Sequence, residues 1–397
     1  MKRKMHILAM AIIGISLHTA ASAMASTTLG PADGYSAFVF GNMTAATDTW
    51  GSVAVGGNAS FNSGYSINAA TAGNNYALIV GGNYTQNSST INGNVIVGNT
   101  ATYSTPTVNG SLTAQSVRLQ GGGSVSGGVF YSDSYSGPSY ISHTKAATDP
   151  TLPIDFSGAE STLSTDATSW AALTANGTAL SQYSTLTLTG SSSTLDIFDI
   201  TTTELAGIST IRLSVPTGTT PTVLVNVDGA AANISGGISG FTAANTLWNF
   251  YNADSVTISG VALTGTLMAT SGRVNFQSGQ VEGAIIAANL NQNSGAEIDA
   301  GSFTGSLPSS APTTIPTGAL PIPSTLALVG VGIGGTGRIG AATATHRISL
   351  LNRSGQASEC FFYHAGTAGP DEEKHGFAHA SLRGMFHHQA ATFGQFQ

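Results

Sequence analysis

The sequence predicts an all-β protein with one long helix, whose strands wind into a right-handed β-helix (a β-solenoid). A five-residue pattern of apolar, small, Gly, small and apolar residues has copies that begin at Ile91, Val108, Val125, Leu263, Val281 and Phe303. The first three copies begin 17 residues apart, and apolar residues at both ends of each copy indicate strands. A period of this length predicts one coil, which buries its apolar residues when coils stack, with Val108 directly above Val125. A sandwich of ordinary hairpins is the alternative.

A different periodicity between the two groups of copies predicts the long helix, at about residues 157–176. Apolar residues recur at steps of three and four, as on one face of a helix: Phe156, Ala159, Leu163, Ala167, Trp170 and Leu173. Ser157 with Glu160 suggests a capping box at the start, and Asn176-Gly177 suggests the end. At about 27 Å, this helix is long enough to pack along about five or six coils and join the two halves. A linker helix between two β domains is the alternative.

Residues 1–25 have the pattern of a secretory signal peptide. Three basic residues at 2–4 precede an apolar run at 7–17, and small residues follow. The apolar run is too short to span a bilayer, and the small residues predict cleavage after Ala23 or Ala25. The mature protein is therefore expected to be exported, to the cell envelope surface or the extracellular space.

Composition restricts the function further. Only 8% of the residues are charged, and the formal net charge is −7. Because no basic stripe is available to neutralise phosphates, we expect no nucleic-acid partner. The single cysteine, Cys360, excludes an internal disulfide framework. We expect no cofactor.

Residue types that support catalysis are scarce. Residues 26–337 contain 15 acidic side chains, only four basic ones and a single histidine. Glu297 and Asp299 alternate on one strand face, where a pair of glycosidase carboxylates is geometrically possible, and Asp196 is close to Asp199. Because no Arg, Lys or His accompanies them, solvated surface acids are the preferred interpretation of both pairs. The sequence therefore predicts no catalytic residue and no enzyme.

Several motifs resemble the choice-of-anchor A family of bacterial surface proteins. They occur in order along the chain and begin at Val53 (VAVGGNA), Leu78 (LIVGGNY), Leu247 (LWNFY), Gly265 (GTLMA), Gly279 (GQVEG) and Phe303 (FTGSLP). The resemblance covers nearly all of residues 29–308 and implies one exported β-solenoid domain at 26–308. It also implies a structural or adhesive role at the cell surface and no catalytic residues. We expect exopolysaccharide or other surface and matrix components as partners, bound through rows of neutral hydrogen-bonding side chains.

A solenoid with a helix along its side also looks like the β-helix of ice-binding proteins. This likeness is at the level of the fold, and fold does not determine function. Ice binding requires a flat face of threonines in register, whereas the threonines here are numerous but unevenly spaced. An ice-binding protein and a carbohydrate-active enzyme on a β-helix are therefore the two alternatives to an exported, non-catalytic structural or adhesive protein.

The C-terminal part resembles a PEP-CTERM sorting signal. A Pro-rich linker at 309–322 precedes an apolar segment at 323–338. The residues that carry the resemblance are Pro321, Pro323, Ser324, Thr325 and Arg338. This sequence departs from the signal in two places, because Ile322 replaces its Glu and a nearly solitary Arg replaces its Arg cluster. The resemblance implies recognition by a sorting machinery.

Residues 339–397 have a different composition from the rest of the chain. They contain six of the nine histidines and the only cysteine. Side chains of the types that bind transition metals are His375, His379, His387, His388 and Cys360. A sorting signal is normally terminal, however, so we expect a disordered tail without function that arose from a shifted reading frame or a fusion.

Overall fold

The computed structural model describes residues 26–67, 76–309, 349–351 and 357–359. The predicted signal peptide with its cleavage sites, nearly all of the linker, the sorting segment and most of the His-rich tail lie outside the described residues. Those features stay predictions.

The chain divides into two units, residues 1–318 and residues 319–397. In the second unit, the described residues form one antiparallel pair of strands, Ser349–Leu351 with Ala357–Glu359. Among the residues described, no helix is both long enough and apolar enough to cross a membrane.

Parallel strands dominate the first unit, as the sequence predicts. Before the long helix, the strands are Tyr35–Val39, Met43–Ala45, Ser52–Val55, Ala59–Phe61, Tyr76–Val80, Tyr84–Ile91, Asn94–Val108, Leu112–Leu119, Ser124–Val125, Val129–Ser136 and His143–Lys145. After it, they are Thr178–Gln182, Thr185–Thr189, Leu195–Thr201, Thr210–Ser214, Thr222–Asp228, Ala231–Ser235, Gly237–Ser239, Thr246–Asn249, Ser255–Thr264, Thr266–Glu282, Ile285–Gln292 and Ala296–Asp299. An antiparallel pair joins the first and last strands described in this unit, Ser26–Thr27 with Leu307–Pro308. The helices are Phe156–Ala171, which we name α1, Thr202–Leu205 and the 3-10 turn Gly30–Ala32.

The strands stack into three ladders, which we name faces A, B and C, and in coils such as residues 76–91 the chain crosses them in that order. Face A includes Ser52–Val55 and Tyr76–Val80, which pair with each other. Face B includes Ala59–Phe61, paired with residues 84–86. Face C includes residues 88–91, paired with 105–108. The unit is therefore β-helix-like, with parallel sheets around one interior.

The 17-residue period corresponds to one coil, as predicted. Val125 pairs in parallel register with Val108, and Val108 pairs with Ile91, so the starts of the three copies lie directly above one another. At the central glycine the coils approach so closely that a Cβ atom on Gly110 would lie 2.4 Å from the carbonyl carbon of Gly93. Glycine is therefore required where the chain turns from face C to face A.

The order of the coils in space differs from their order in the sequence. Phe38, in the first strand of face A, pairs with Ala54 of the next coil and with Ile286 near the end of the unit. The chain therefore begins in the middle of the stack, where the two halves meet. In sequence, α1 lies between the strands at the two opposite ends of face A, His143–Lys145 and Leu195–Thr201.

Side chains alternate between the interior of the coils and the outside, which gives two apolar cores. The inner core lies within the coils and includes Val53, Val55 and Leu78. The outer core lies between face A and the helix, where Ile79 of the sheet belongs to one cluster with Leu163 of α1. Because face A is buried on both sides, its strands are continuous apolar runs in the sequence.

The ends of α1 differ from those predicted, although its position between the two halves is as expected. The N-cap is Asp155, whose carboxylate accepts a hydrogen bond of 3.0 Å from a backbone N–H in the first turn. The predicted capping box of Ser157 with Glu160 is wrong, because both residues already lie within the helix. Asn176 lies beyond the end of the helix, and its side chain bonds the backbone of the edge strand Leu195–Thr201.

The last predicted copy of the repeat, which begins at Phe303, is not a coil. Phe303 and Leu307 belong to the outer core with α1. Leu307 pairs antiparallel with Thr27, and the backbone N–H of Thr304 donates to the carbonyl of Ala244 at 2.7 Å. The pattern identifies a segment that alternates, but it does not say whether that segment stacks as a coil or covers one.

Candidate binding face

The outer surface of face B carries a column of polar side chains in register. One outward residue from each of ten successive strands belongs to it, in the spatial order Asn233, Thr257, Asn275, Asn291, Thr44, Ser60, Thr85, Thr102, Arg118 and Ser136. Each residue pairs with the next, and all ten are exposed or partly exposed. At the usual spacing between strands, this set is roughly 43 Å long. We name it the polar column.

The polar column is almost free of charge. Nine of its ten residues are Asn, Thr or Ser, and Arg118 is the exception. Neighbouring members bond to each other in places, as where the Thr44 hydroxyl donates to the side-chain oxygen of Asn291. Hydroxyl and amide groups both donate and accept hydrogen bonds. The column therefore suits a ligand with repeated neutral hydrogen-bonding groups.

A stack of buried aromatic rings behind the polar column holds its strands in place. Phe61, Tyr84 and Tyr103 belong to three successive coils and fill the interior. The ring centres of Phe61 and Tyr84 are 5.3 Å apart and those of Tyr84 and Tyr103 are 5.1 Å apart, both edge to face. Burial raises the pKa of both phenols well above the usual value, so they stay neutral and packed.

A row of asparagines fixes the register where the chain turns from face A to face B. The side-chain oxygen of Asn42 accepts a hydrogen bond of 2.8 Å from the backbone N–H of Asn58, and Asn58 does the same for Asn83. Asn289 accepts from the backbone N–H of Asn42 at 3.0 Å, although 247 residues separate them. The register of the polar column therefore continues across the junction between the two halves.

A family model described as "Putative Ice-binding-like adhesive domain" matches residues 28–299, well over half of the chain. The chain belongs to this family. The comparisons with curated proteins and with solved structures give no match. Membership identifies an adhesive-type domain and indicates a location at the cell surface or outside the cell.

In this adhesive domain, the acidic pair predicted from the sequence lies on face C. Glu297 accepts a hydrogen bond of 2.7 Å from the indole N–H of Trp50, and Asp299 accepts one from the amide of Gln280. Partial burial raises the pKa of Asp299, the charges of Glu297 and Glu282 raise it further, and the Gln280 hydrogen bond opposes them. Both carboxylates therefore bond to neutral donors on a sheet face.

The two residues of the second acidic pair, Asp196 and Asp199, lie on opposite sides of the sheet. Asp196 is fully buried, and its carboxylate accepts backbone N–H groups of Ser191 at 3.0 Å and Ser192 at 2.9 Å. Asp199 lies on the opposite side of the same strand and accepts from Asn226 at 3.0 Å. The expectation of a solvated surface acid is wrong for Asp196, because its carboxylate stabilises a buried turn.

His143, the one histidine among residues 26–309, packs at the end of face A. Its ring stacks on that of Tyr135 with centres 4.1 Å apart, and its Nδ1 lies 2.9 Å from the carbonyl oxygen of Ile141. Within the described ranges, no group of three or more His, Cys, Asp or Glu is arranged to hold a metal ion.

In the motif at 247–251, the sequence did not predict the role of Asn249. Trp248 fills the inner core, whereas Asn249 faces α1 and is completely buried. The amide of Asn249 donates to the carbonyl of Ala167 in α1 and to the side-chain oxygen of Asn226, both at 2.9 Å. A polar residue within an apolar run was the available sign that the sheet bonds to the helix there.

A groove beside the first half of α1 encloses about 660 Å³. Tyr35, Tyr76 and Pro153 are among the residues that line it. Its two acids, Asp33 and Asp155, each accept a backbone N–H at 3.0 Å as structural caps. Burial raises the pKa of Tyr35 to about 12. The groove therefore combines aromatic surface with carboxylates that serve the fold.

Proposed function

We propose that this chain is an exported, non-catalytic adhesive or matrix protein that binds exopolysaccharide or a similar surface component through the polar column. The observation that carries the proposal is the unbroken register of ten outward residues, nine of them neutral. A polysaccharide offers hydroxyl groups at regular intervals, so many weak hydrogen bonds act together along the column. Binding of this kind is expected to depend little on salt.

The position of the carboxylates supports a non-catalytic role over a carbohydrate-active enzyme. Hydrolysis of a glycosidic bond needs one carboxylic acid and one carboxylate on either side of the bond. Glu297 and Asp299 instead lie on one strand of a sheet face and accept hydrogen bonds from Trp50 and Gln280. Substrate would contact both from the same side.

Ice is a second candidate ligand, because the polar column is a regular face of the kind that ice binding requires. Threonine occupies four of its ten positions, and Thr85 and Thr102 are direct neighbours. The other positions are mostly Asn and Ser, whose side chains lack the methyl group of threonine. The mixture favours a sugar surface, and a thermal-hysteresis assay separates the two candidates.

The same proposal includes the handedness of the β-helix, the type of surface protein and the segment that directs its sorting. We infer a right-handed winding, as in ice-binding proteins, because connections between parallel strands of one sheet are nearly always right-handed. We infer a choice-of-anchor A type of surface protein, because its motifs lie in order over residues 29–308. Residues 323–338 are then the segment that a sorting machinery recognises.

Binding of the full chain to a panel of insoluble polysaccharides, measured as depletion from solution, tests this function. A Thr44→Tyr/Thr85→Tyr variant places two bulky side chains on the column and prevents flat contact. Thr187→Tyr is the matched control, because Thr187 lies partly exposed on face C. We expect the column variant to bind at least about tenfold more weakly, since several contacts are lost together, and the control to bind normally.

Equal binding by the column variant and the unmodified chain would contradict the role of the polar column. Release of reducing ends from a bound polysaccharide, abolished by Glu297→Gln, would contradict the non-catalytic role. Growth inhibition of ice crystals without binding to any polysaccharide would select the second candidate.

A further inference from the structure

Trp50 is the one exposed tryptophan among the three of the chain. Trp170 and Trp248 are 1% and 0% exposed and belong to the two cores, whereas 43% of Trp50 is exposed. Trp50 follows Thr49, which bridges the face C strand Ala296–Asp299 at Ile298. A large part of this aromatic side chain is therefore accessible to a ligand on the sheet face.

The orientation of the Trp50 ring is fixed from two directions. Its indole N–H donates to Glu297 Oε1 at 2.7 Å. Its backbone N–H donates to the carbonyl of Ile298 at 2.7 Å, and its carbonyl accepts the hydroxyl of Ser36 at 2.7 Å. Because the indole and the backbone are already bonded, a ligand that stacks on the ring orders little additional structure.

Polar side chains lie beside Trp50 in paired positions of two neighbouring strands. Gln280 pairs with Glu297, and Glu282 pairs with Asp299. These five residues form what we name the aromatic patch, in which three carboxylates and one amide lie on the strand that Trp50 bonds and on the next strand. Partial burial raises the pKa of Asp299, and the negative charges of Glu297 and Glu282 raise it further. An anionic polymer would be repelled here, and a cationic group would be attracted.

We propose that the aromatic patch is a second binding site, for amino-sugar units of a polysaccharide. The apolar face of a pyranose ring stacks on Trp50, and the ammonium group of the sugar meets the carboxylates of Glu282 and Asp299. Two observations support this ligand class: the fixed aromatic ring with amide and carboxylate groups beside it, and the charge complementarity of an ammonium group with three carboxylates. The site lies on face C, so it is distinct from the polar column and does not rest on the function proposed for it.

Calorimetric titration of the full chain with a glucosamine hexamer, at low ionic strength and a pH at which the amino groups are charged, tests the site. The N-acetylglucosamine hexamer is the matched ligand without charge. We expect the charged hexamer to bind at least about tenfold more tightly, because acetylation removes the attraction. Glu282→Gln/Asp299→Asn is expected to remove this preference, and Trp50→Ala to weaken binding of both hexamers by about tenfold.

Further variants separate stacking from loss of folding. Trp50→Phe keeps an aromatic ring without the indole N–H and is expected to retain more affinity than Trp50→Ala. Thermal unfolding of each variant, followed by circular dichroism, checks that it is folded, and the acidic double variant changes one exposed and one partly exposed side chain. Thr187→Tyr is expected to bind both hexamers normally.

Three results would overturn the proposal. The first is equal affinity for the two hexamers, and the second is normal binding by folded Trp50→Ala. The third is loss of hexamer binding in the Thr44→Tyr/Thr85→Tyr variant but not in the patch variants, which would move the ligand to the polar column. That last result leaves the proposed adhesive function intact, whereas failure of the column variant to affect matrix binding leaves the aromatic patch intact.

Discussion

Faces A and B are built from the same coils with the same alternation of side chains, yet their outer surfaces are opposites. In the coil that begins at Tyr76, Ile79 on face A is 1% exposed, and Thr85 on face B is exposed. The difference comes from α1, which packs on the first face and leaves the second open. The same coil backbone therefore forms a buried face and an exposed face, and the outward side chains determine whether a face is buried or exposed.

The two outer surfaces are under different physical constraints. Each aliphatic side chain buried beneath α1 contributes roughly 1.5–3 kcal/mol, so face A must keep its outward residues apolar. Outward residues on face B bury little, and their identity can follow the needs of a ligand. A regular polar row such as Ser60, Thr85 and Thr102 is therefore informative about binding, whereas a regular apolar row such as Ala54, Ile79 and Ile96 is informative about packing.

The comparison of faces A and B predicts the largest difference in stability when an outward residue is replaced by Asp on each face. Ile79→Asp places an unpaired charge in the outer core and is expected to lower the free energy of unfolding by at least about 5 kcal/mol. Thr85→Asp, in the same coil, is expected to change it by less than about 0.5 kcal/mol, because the side chain stays in water. Urea unfolding of both variants measures the difference.

A second, smaller effect concerns the polar residues that face A does contain. Asn249→Ala removes the donor to the Ala167 carbonyl and leaves the side-chain oxygen of Asn226 without that partner. We expect a loss of about 1–3 kcal/mol, the usual result of leaving buried polar groups unpaired. Thermal unfolding measures it.

Asn275→Ala on face B is the control for this substitution, because the Asn275 amide bonds the Ser255 hydroxyl at 3.3 Å at a partly exposed position. Equal losses of stability from the two variants would mean that the hydrogen bonds from Asn249 to α1 contribute no more than a partly exposed hydrogen bond on face B. A loss of stability in Asn249→Ala alone would mean that polar residues, like apolar ones, contribute to stability on face A and not on face B.

The coil and the helix were predictable because both have a local period. A spacing of 17 residues places Val108 and Val125 at the same point of successive coils, and the steps of three and four from Ala159 to Trp170 give the buried side of α1. The helix start was misplaced because Asp155 competes with Ser157 for the same role, and a side chain's choice between two nearby caps depends on tertiary contacts.

The stacking order and the polar column were not predictable, for a common reason. Phe38 and Ile286 are partners across almost the whole unit, and no period connects them. Successive asparagines at the turn from face A to face B are separated by 16 residues and then by 25, because coils differ in length at their loops. Threonines that look unevenly spaced in the sequence are therefore in register in space. Only the pairing of strands makes this visible.

The smallest predicted effect compares the two open faces, since face B is nearly neutral and face C carries the carboxylates of the aromatic patch. Asp299 has a pKa raised above 3.8 in the folded state, first by partial burial and then by Glu297 and Glu282. The folded protein therefore binds this proton more readily than the unfolded chain does, and the contribution to stability is present below pH 3.8 and is lost as the pH rises through the folded pKa. Asp299→Asn should raise stability at neutral pH by less than about 0.5 kcal/mol and leave it unchanged in acid.

Carboxyl carbon shifts followed by NMR against pH test the cause of the shift directly. Glu282→Gln should move the pKa of Asp299 down towards its ordinary value. An unchanged pKa in that variant would mean that the charge of Glu282 does not contribute to the shift and that burial and Glu297 produce it.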